Sequence, residues 1–136
     1  MTYNLQFEDV FTSVFETVVK SFKDKSRDIV NSILMSLIVS MKNKNDALRT
    51  SLEEMFEDET IIKNMNLDEY YDHMLSLQDN LERLVGIAKQ HRDKSEMFNE
   101  FYKSVKDLYE TVVYVTIEVG FMEAKSNHEV FLENAS

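Results

Sequence analysis

Eight carboxylates crowd the stretch from residue 53 to residue 72: Glu53, Glu54, Glu57, Asp58, Glu59, Asp68, Glu69 and Asp72, with Lys63 as the one base among them. No other part of the chain gathers so much ionisable chemistry. Glu54 and Glu57 are three apart, as are Glu69 and Asp72, so on helices each pair shares a face. Two antiparallel helices could aim all four at one point. Mg²⁺ takes hard oxygen ligands of this kind, often together with substrate phosphates. A chain with 15 Glu and 10 Asp also produces such pairs by chance, so a solvated acidic face is the competing reading.

The Glu54-x-x-Glu57 and Glu69-x-x-Asp72 pairs resemble the ExxE…ExxD pattern of the all-α MazG-type nucleoside triphosphate pyrophosphohydrolases. The resemblance covers about 20 of the 136 residues, and its two pairs stand closer together than is usual in that family. It implies Mg²⁺ held by Glu54, Glu57, Glu69 and Asp72 for attack of water on a triphosphate, with only Lys63 nearby as a basic group for that ligand.

Other catalytic constellations are missing. The histidines His73, His91 and His128 are 18 and 37 residues apart, which fits no compact metal pattern. Glu69 and His73 are four apart and could meet on one face, but the Glu-x-x-His of di-iron bundles does not occur. His91-Arg92-Asp93 spells a kinase-loop tripeptide without the glycine-rich loop that would give it meaning. The absence of cysteine excludes disulfides, thiolate metal sites and a thiol nucleophile. There is no Gly-x-Ser-x-Gly and no glycine-rich phosphate loop, and no cofactor is implied.

The elements that carry these residues read as helices. With no proline and only Gly86 and Gly120 as glycines, the chain has little material for tight turns. Phe7, Val10, Phe11, Val14, Phe15, Val18, Val19 and Phe22 form one apolar stripe at steps of three and four. Ser26 can cap a second helix with Ile29, Val30, Ile33, Leu34, Leu37, Ile38 and Met41 inward. A third is expected from Asn45 or Asp46, carrying Leu48, Leu52, Met55 and Phe56, which would leave residues 57–59 at its electrostatically unfavourable C-terminal end. Asn66 and Glu69 have the form of a capping box for a fourth helix, lined by Tyr70, Tyr71, Met74, Leu77, Leu81, Leu84, Val85 and Ala88. Asp93 and Glu96 suggest another box before a long final helix over residues 95 to about 124, roughly 45 Å long.

Residues 112–117 are β-branched and aromatic, which favours a strand. No partner strand exists, so helix is expected there too, with Gly120 able to end or bend it. The expected fold is an all-α, single-domain bundle of about five helices over residues 1–125. Residues 126–136 follow as a tail, either a short helix or frayed.

The net charge of −10 is uneven, +1 over residues 1–49 and −11 over residues 50–136. Such a field repels phosphate backbones, which argues against direct nucleic-acid binding. The longest apolar run, residues 33–39, is too short to span a bilayer, and Glu8 and Asp9 sit where a signal peptide would be basic. A cytoplasmic protein without membrane association is the expectation.

Lys20, Lys23, Lys25, Arg27, Lys42, Lys44 and Arg49 could form a basic end opposite the acidic belt and favour self-association. The aromatic series Phe98, Phe101, Tyr102 and Tyr109 could be core or a partner-binding stripe. A long helix projecting from a small bundle would want a second copy, so a homo-oligomer, with a dimer the simplest, is expected. The leading functional expectation is a non-enzymatic acidic protein that binds another protein. Its acidic belt and aromatic stripe would be the contacts, as in accessory or inhibitor proteins of phages and mobile elements. The alternatives are a DNA-mimic inhibitor of a nuclease or restriction system and the Mg²⁺ pyrophosphohydrolase.

Overall fold

The computed structural model describes residues 7–135, with side chains from Asp9 onward, so Phe7 of the first stripe lies outside the described side chains. Five α-helices follow one another: α1 Phe7–Ser21, α2 Arg27–Glu57, α3 Glu59–Lys63, α4 Leu67–His91 and α5 Glu96–Ala135, with a 3₁₀ turn at Arg92–Lys94 between the last two. Among the described residues there is no strand. The chain is an all-α bundle with a long C-terminal helix. The β-branched run at residues 112–117 is helical because burial outweighs propensity: Val112, Val115 and Thr116 are all in the core.

α2, α4 and α5 are the three long members. Asn45 and Arg49 of α2 meet Thr111 of α5, and Met55 of α2 shares a groove with Met122 of α5, so α2 and α5 run parallel. α4 runs against both, with Tyr71 near its start lying beside Gly120 late in α5. Their facing stripes supply the centre of the core: Leu34 and Met41 from α2, Leu81 and Leu84 from α4, Val105 and Leu108 from α5. Full burial of each such side chain stabilises the fold by about 1.5–3 kcal/mol.

α1 closes the end opposite the acidic belt. Its Phe15 ring stacks on Phe101 at 4.3 Å and meets Phe98 and His91 edge-on at 5.8 and 6.1 Å. Phe22, just past α1, lies against Phe98 at 5.3 Å. Arg92 and Lys94 cover the Tyr102 and Phe22 rings there, so basic side chains gather at this end, where the loop from α1 to α2 also lies.

Several boundaries differ from the sequence expectation. The expected second and third helices are one 31-residue helix, α2. Nothing in residues 42–46 breaks a helix, and Asn45 does not cap. Its Oδ1 accepts instead from Arg49 Nε at 3.0 Å and from the Thr111 hydroxyl at 2.7 Å. Ser26 and Asn66 do cap, accepting from Ile29 N and Glu69 N. The cap before α5 is Ser95, whose Oγ accepts from Phe98 N, while Asp93 sits inside the 3₁₀ turn. Gly120 neither ends nor bends the last helix into a new element. α5 runs through it for 40 residues, about 60 Å, and residues 126–135 are its continuation.

Candidate functional site

The end of the bundle that carries the belt is built by one residue with two jobs. Asp58 closes α2, its N–H donating to Glu54 O at 3.0 Å, and opens α3, its carboxylate accepting from the Thr60 amide at 2.9 Å and hydroxyl at 2.6 Å. Those bonds, the hydroxyl's first, hold the Asp58 carboxyl below its usual range. The break also resolves the dipole conflict. Asp58 and Glu59 sit at the N-terminus of α3, where negative charge is favourable, and of residues 57–59 only Glu57 stays at the end of α2, beside Glu53 and Glu54.

α3 then turns the chain back through Met65 into α4, while α5 runs on past it. The last fully buried side chain of α5 is Val119. Residues 120–135 extend about 24 Å further at 1.5 Å per residue. Between this overhang and the α2–α3–α4 turn lies an open groove of about 580 Å³. Ile62, Met65 and Met122, each partly open, supply its apolar surface over the buried Met55 and Leu67, together with the half-exposed Phe56. Glu59, Asp68, Glu123 and Glu129 stand around it against Lys63 and Lys125.

Glu123 links the two walls. A hydrogen bond with Asp68 is the first cause that raises its pKa above the usual carboxylate value. Partial desolvation and repulsion from Asp68 and Asp72 add to it. A carboxyl that keeps its proton more readily beside another carboxylate is the local signature of crowded negative charge.

The eight belt carboxylates are all exposed and spread around this end. Glu59 and Asp68 line the groove, whereas Glu53 lies on a side cleft with Phe56 and Tyr114. Glu54, Glu57, Glu69 and Asp72 do not form a ligand set: among the described residues no three His, Cys, Asp or Glu side chains are arranged to hold a metal ion. Glu54 and Glu57 ride on the last turns of α2, and Glu69 and Asp72 on the first turns of α4, and α3 separates the two. His73 is exposed, and His91 packs on Phe15 at the far end.

The aromatic stripe needs correction. Phe98 and Phe101 are fully buried, Tyr102 is 8% exposed, and Tyr109 packs partly buried against the core. Phe98, Phe101 and Tyr102 are not free to dock a partner, because Phe15 of α1 covers the first two and Arg92 of the 3₁₀ turn covers the third.

The exposed large apolar residues of α5 are instead Tyr114, Ile117, Phe121 and, near its end, Val130, Phe131 and Leu132. Val130, Phe131 and Leu132 stand out in the sequence as an apolar cluster of the tail, whereas Tyr114 and Ile117 do not, because residues 112–117 are apolar on every side and no face is marked. Of the groove's methionines the sequence marks only Met55, as core, and gives Met65 and Met122 no role.

No helix among the described residues is long and apolar enough to cross a membrane. No family model, curated protein or solved structure matches this chain.

Proposed function

We propose that this protein works without catalysis, by docking a basic amphipathic helix of a partner protein in the groove between α3 and the α5 overhang. The observation that carries the reading is the pairing of a methionine-rich apolar surface with an excess of carboxylates around it. Unbranched Met side chains adapt to varied apolar partners, and an amphipathic helix laid into a hydrophobic groove is a recurring recognition mode. The surrounding carboxylates favour Lys and Arg on the rest of such a helix and speed its encounter. An inhibitor built this way acts by masking the basic segment it holds.

DNA mimicry uses the same charge but needs no apolar floor, so the groove favours a helical partner over a nucleic-acid-binding surface. The Mg²⁺ pyrophosphohydrolase reading has no converging carboxylates to support it.

The test is fluorescence anisotropy with a labelled Leu/Lys amphipathic peptide of about 18 residues, against a Lys/Ser peptide of equal length and charge. The first should bind at least about tenfold more tightly, a difference of about 1.4 kcal/mol. Phe56→Ala and Met122→Asp should remove that preference. Equal binding of both peptides, lost together at high salt, would leave charge alone and return the DNA-mimic reading.

A further inference from the structure

The outer face of α5 carries a second pattern, used by neither the core nor the groove. Tyr114, Ile117, Phe121, Ala124, His128 and Phe131 recur at alternating steps of three and four, the seam spacing of a heptad coiled coil. All six are exposed. Tyr114, Ile117, Phe121 and Phe131 leave 52%, 52%, 68% and 65% of their surface open. At about 100° per residue Phe121 points directly away from buried Val112. The seam therefore lies opposite the core stripe, and none of its six residues lines the groove.

We propose that this seam joins two copies of the chain, with their α5 helices antiparallel. Side-chain size and charge select the orientation. An antiparallel pair centred between Met122 and Glu123 sets Phe121 against the second copy's Ala124, Ile117 against its His128 and Tyr114 against its Phe131. Large side chains then meet small ones at the centre. On one flank of the seam stand Glu118 and Lys125, seven residues apart. The same register brings each Glu118 beside the other copy's Lys125, twice by symmetry.

Parallel in-register pairing opposes Phe121 to Phe121 and His128 to His128. The flank facing Glu118 is then Val113 and Gly120, which offer no charge. Antiparallel pairing also gives each overhang a support, since its end lies along the other copy's bundle. Phe131 arrives at Tyr114, next to the 290 Å³ cleft that Leu52, Phe56 and Tyr114 line. The six seam residues are separate from the groove, although Lys125 borders both and Phe56 lines both the groove and the cleft, so dimer mass and peptide binding are read separately.

Sedimentation equilibrium of the full chain at about 0.15 M salt or above, where the net charge of −10 is screened, should show a concentration-dependent rise from 16.0 kDa towards twice that mass. Phe121→Glu should weaken association more than tenfold with unchanged helicity, because 68% of the residue's surface is open in its own copy. Glu118→Lys and Lys125→Glu should each weaken it about tenfold, and the double variant should restore it. Residues seven apart on one helix do not touch, so that rescue reports contact between copies.

The chain has no cysteine, so Ile117→Cys and His128→Cys introduce single thiols. A mixture of the two should oxidise to the mixed disulfide far faster than either variant alone. A monomer at every concentration, a dimer indifferent to Phe121→Glu, or ready self-crosslinking of Ile117→Cys would overturn the proposal.

Discussion

The two glycines give opposed expectations for the same substitution. Gly86 and Gly120 both lie inside helices with no positive φ, so each gives up helix propensity worth about 0.8–1 kcal/mol relative to alanine. At Gly86 a Cβ would meet nothing within 4 Å, so Gly86→Ala should gain nearly all of that. Unfolding entropy of about 2.1 cal/mol/K per residue over 136 residues comes to roughly 0.3 kcal/mol per degree. The gain is then a Tm rise of about 3 °C.

At Gly120 the same Cβ would stand 3.1 Å from Tyr71 Cε1 and 3.7 Å from its Cζ. The Tyr71 ring must yield by a few tenths of an ångström, and crowding of this sort costs about 1–3 kcal/mol. Gly120→Ala should therefore be neutral or lower Tm by up to roughly 7 °C. In a Tyr71→Leu background the substitution should become stabilising. Thermal melts followed by circular dichroism at 222 nm, with urea titrations to check two-state behaviour, read all four proteins. An equal rise for both single variants would show that Tyr71 does not hold α4 against Gly120, and a fall for Gly86→Ala would place a neighbour where the structure has none.

Two further outcomes test other parts of the bundle. Burial, then the nearby Lys94 charge, holds the His91 pKa below its ordinary 6.5. The unfolded chain thus takes up a proton first, and stability should fall as pH drops below about 6.5 towards the folded value. Urea midpoints at pH 7.5 and 5.5 should show that loss reduced in His91→Phe, which keeps a ring against Phe15. Thr111→Val removes a hydroxyl that donates to Asn45 Oδ1 and accepts from Arg49 Nη2 at 3.2 Å. It should cost about 1–2 kcal/mol, much less in an Asn45→Ala background, and an unchanged melt would mean the α2–α5 contact does not depend on that triangle.

The parts of the fold that were legible in the sequence are those fixed by local rules. Steps of three and four marked every long helix, and Ser26 and Asn66 announced their caps because a short polar side chain before an apolar stripe has few other uses. Asn45 carries the same local signal and means something else. Its amide is spent on Arg49 and on Thr111, 66 residues away in sequence, and no window around residue 45 contains that partner. Periodicity shows that a helix has faces without saying which neighbour covers each.

That gap also separates the expected site from the one observed. Phe98 and Phe101 announce an apolar face, and only the docking of α1, through Phe15, decides that the face is core. Tyr114, Ile117 and Phe121 are also large and apolar with a cleaner heptad step, yet no helix covers them: Tyr114 only borders a cleft beside α2, and all three stay half or more exposed. The acidic belt misled for a related reason. Pairing Glu54 and Glu57 with Glu69 and Asp72 assumed that two helices turn directly into one another. The five residues of α3, set off by Asp58, separate the two helix ends, and the turn they make faces the α5 overhang across an open groove instead of closing on a metal site. What a helical sequence leaves open is which faces stay bare, and only the packing of the other helices decides that.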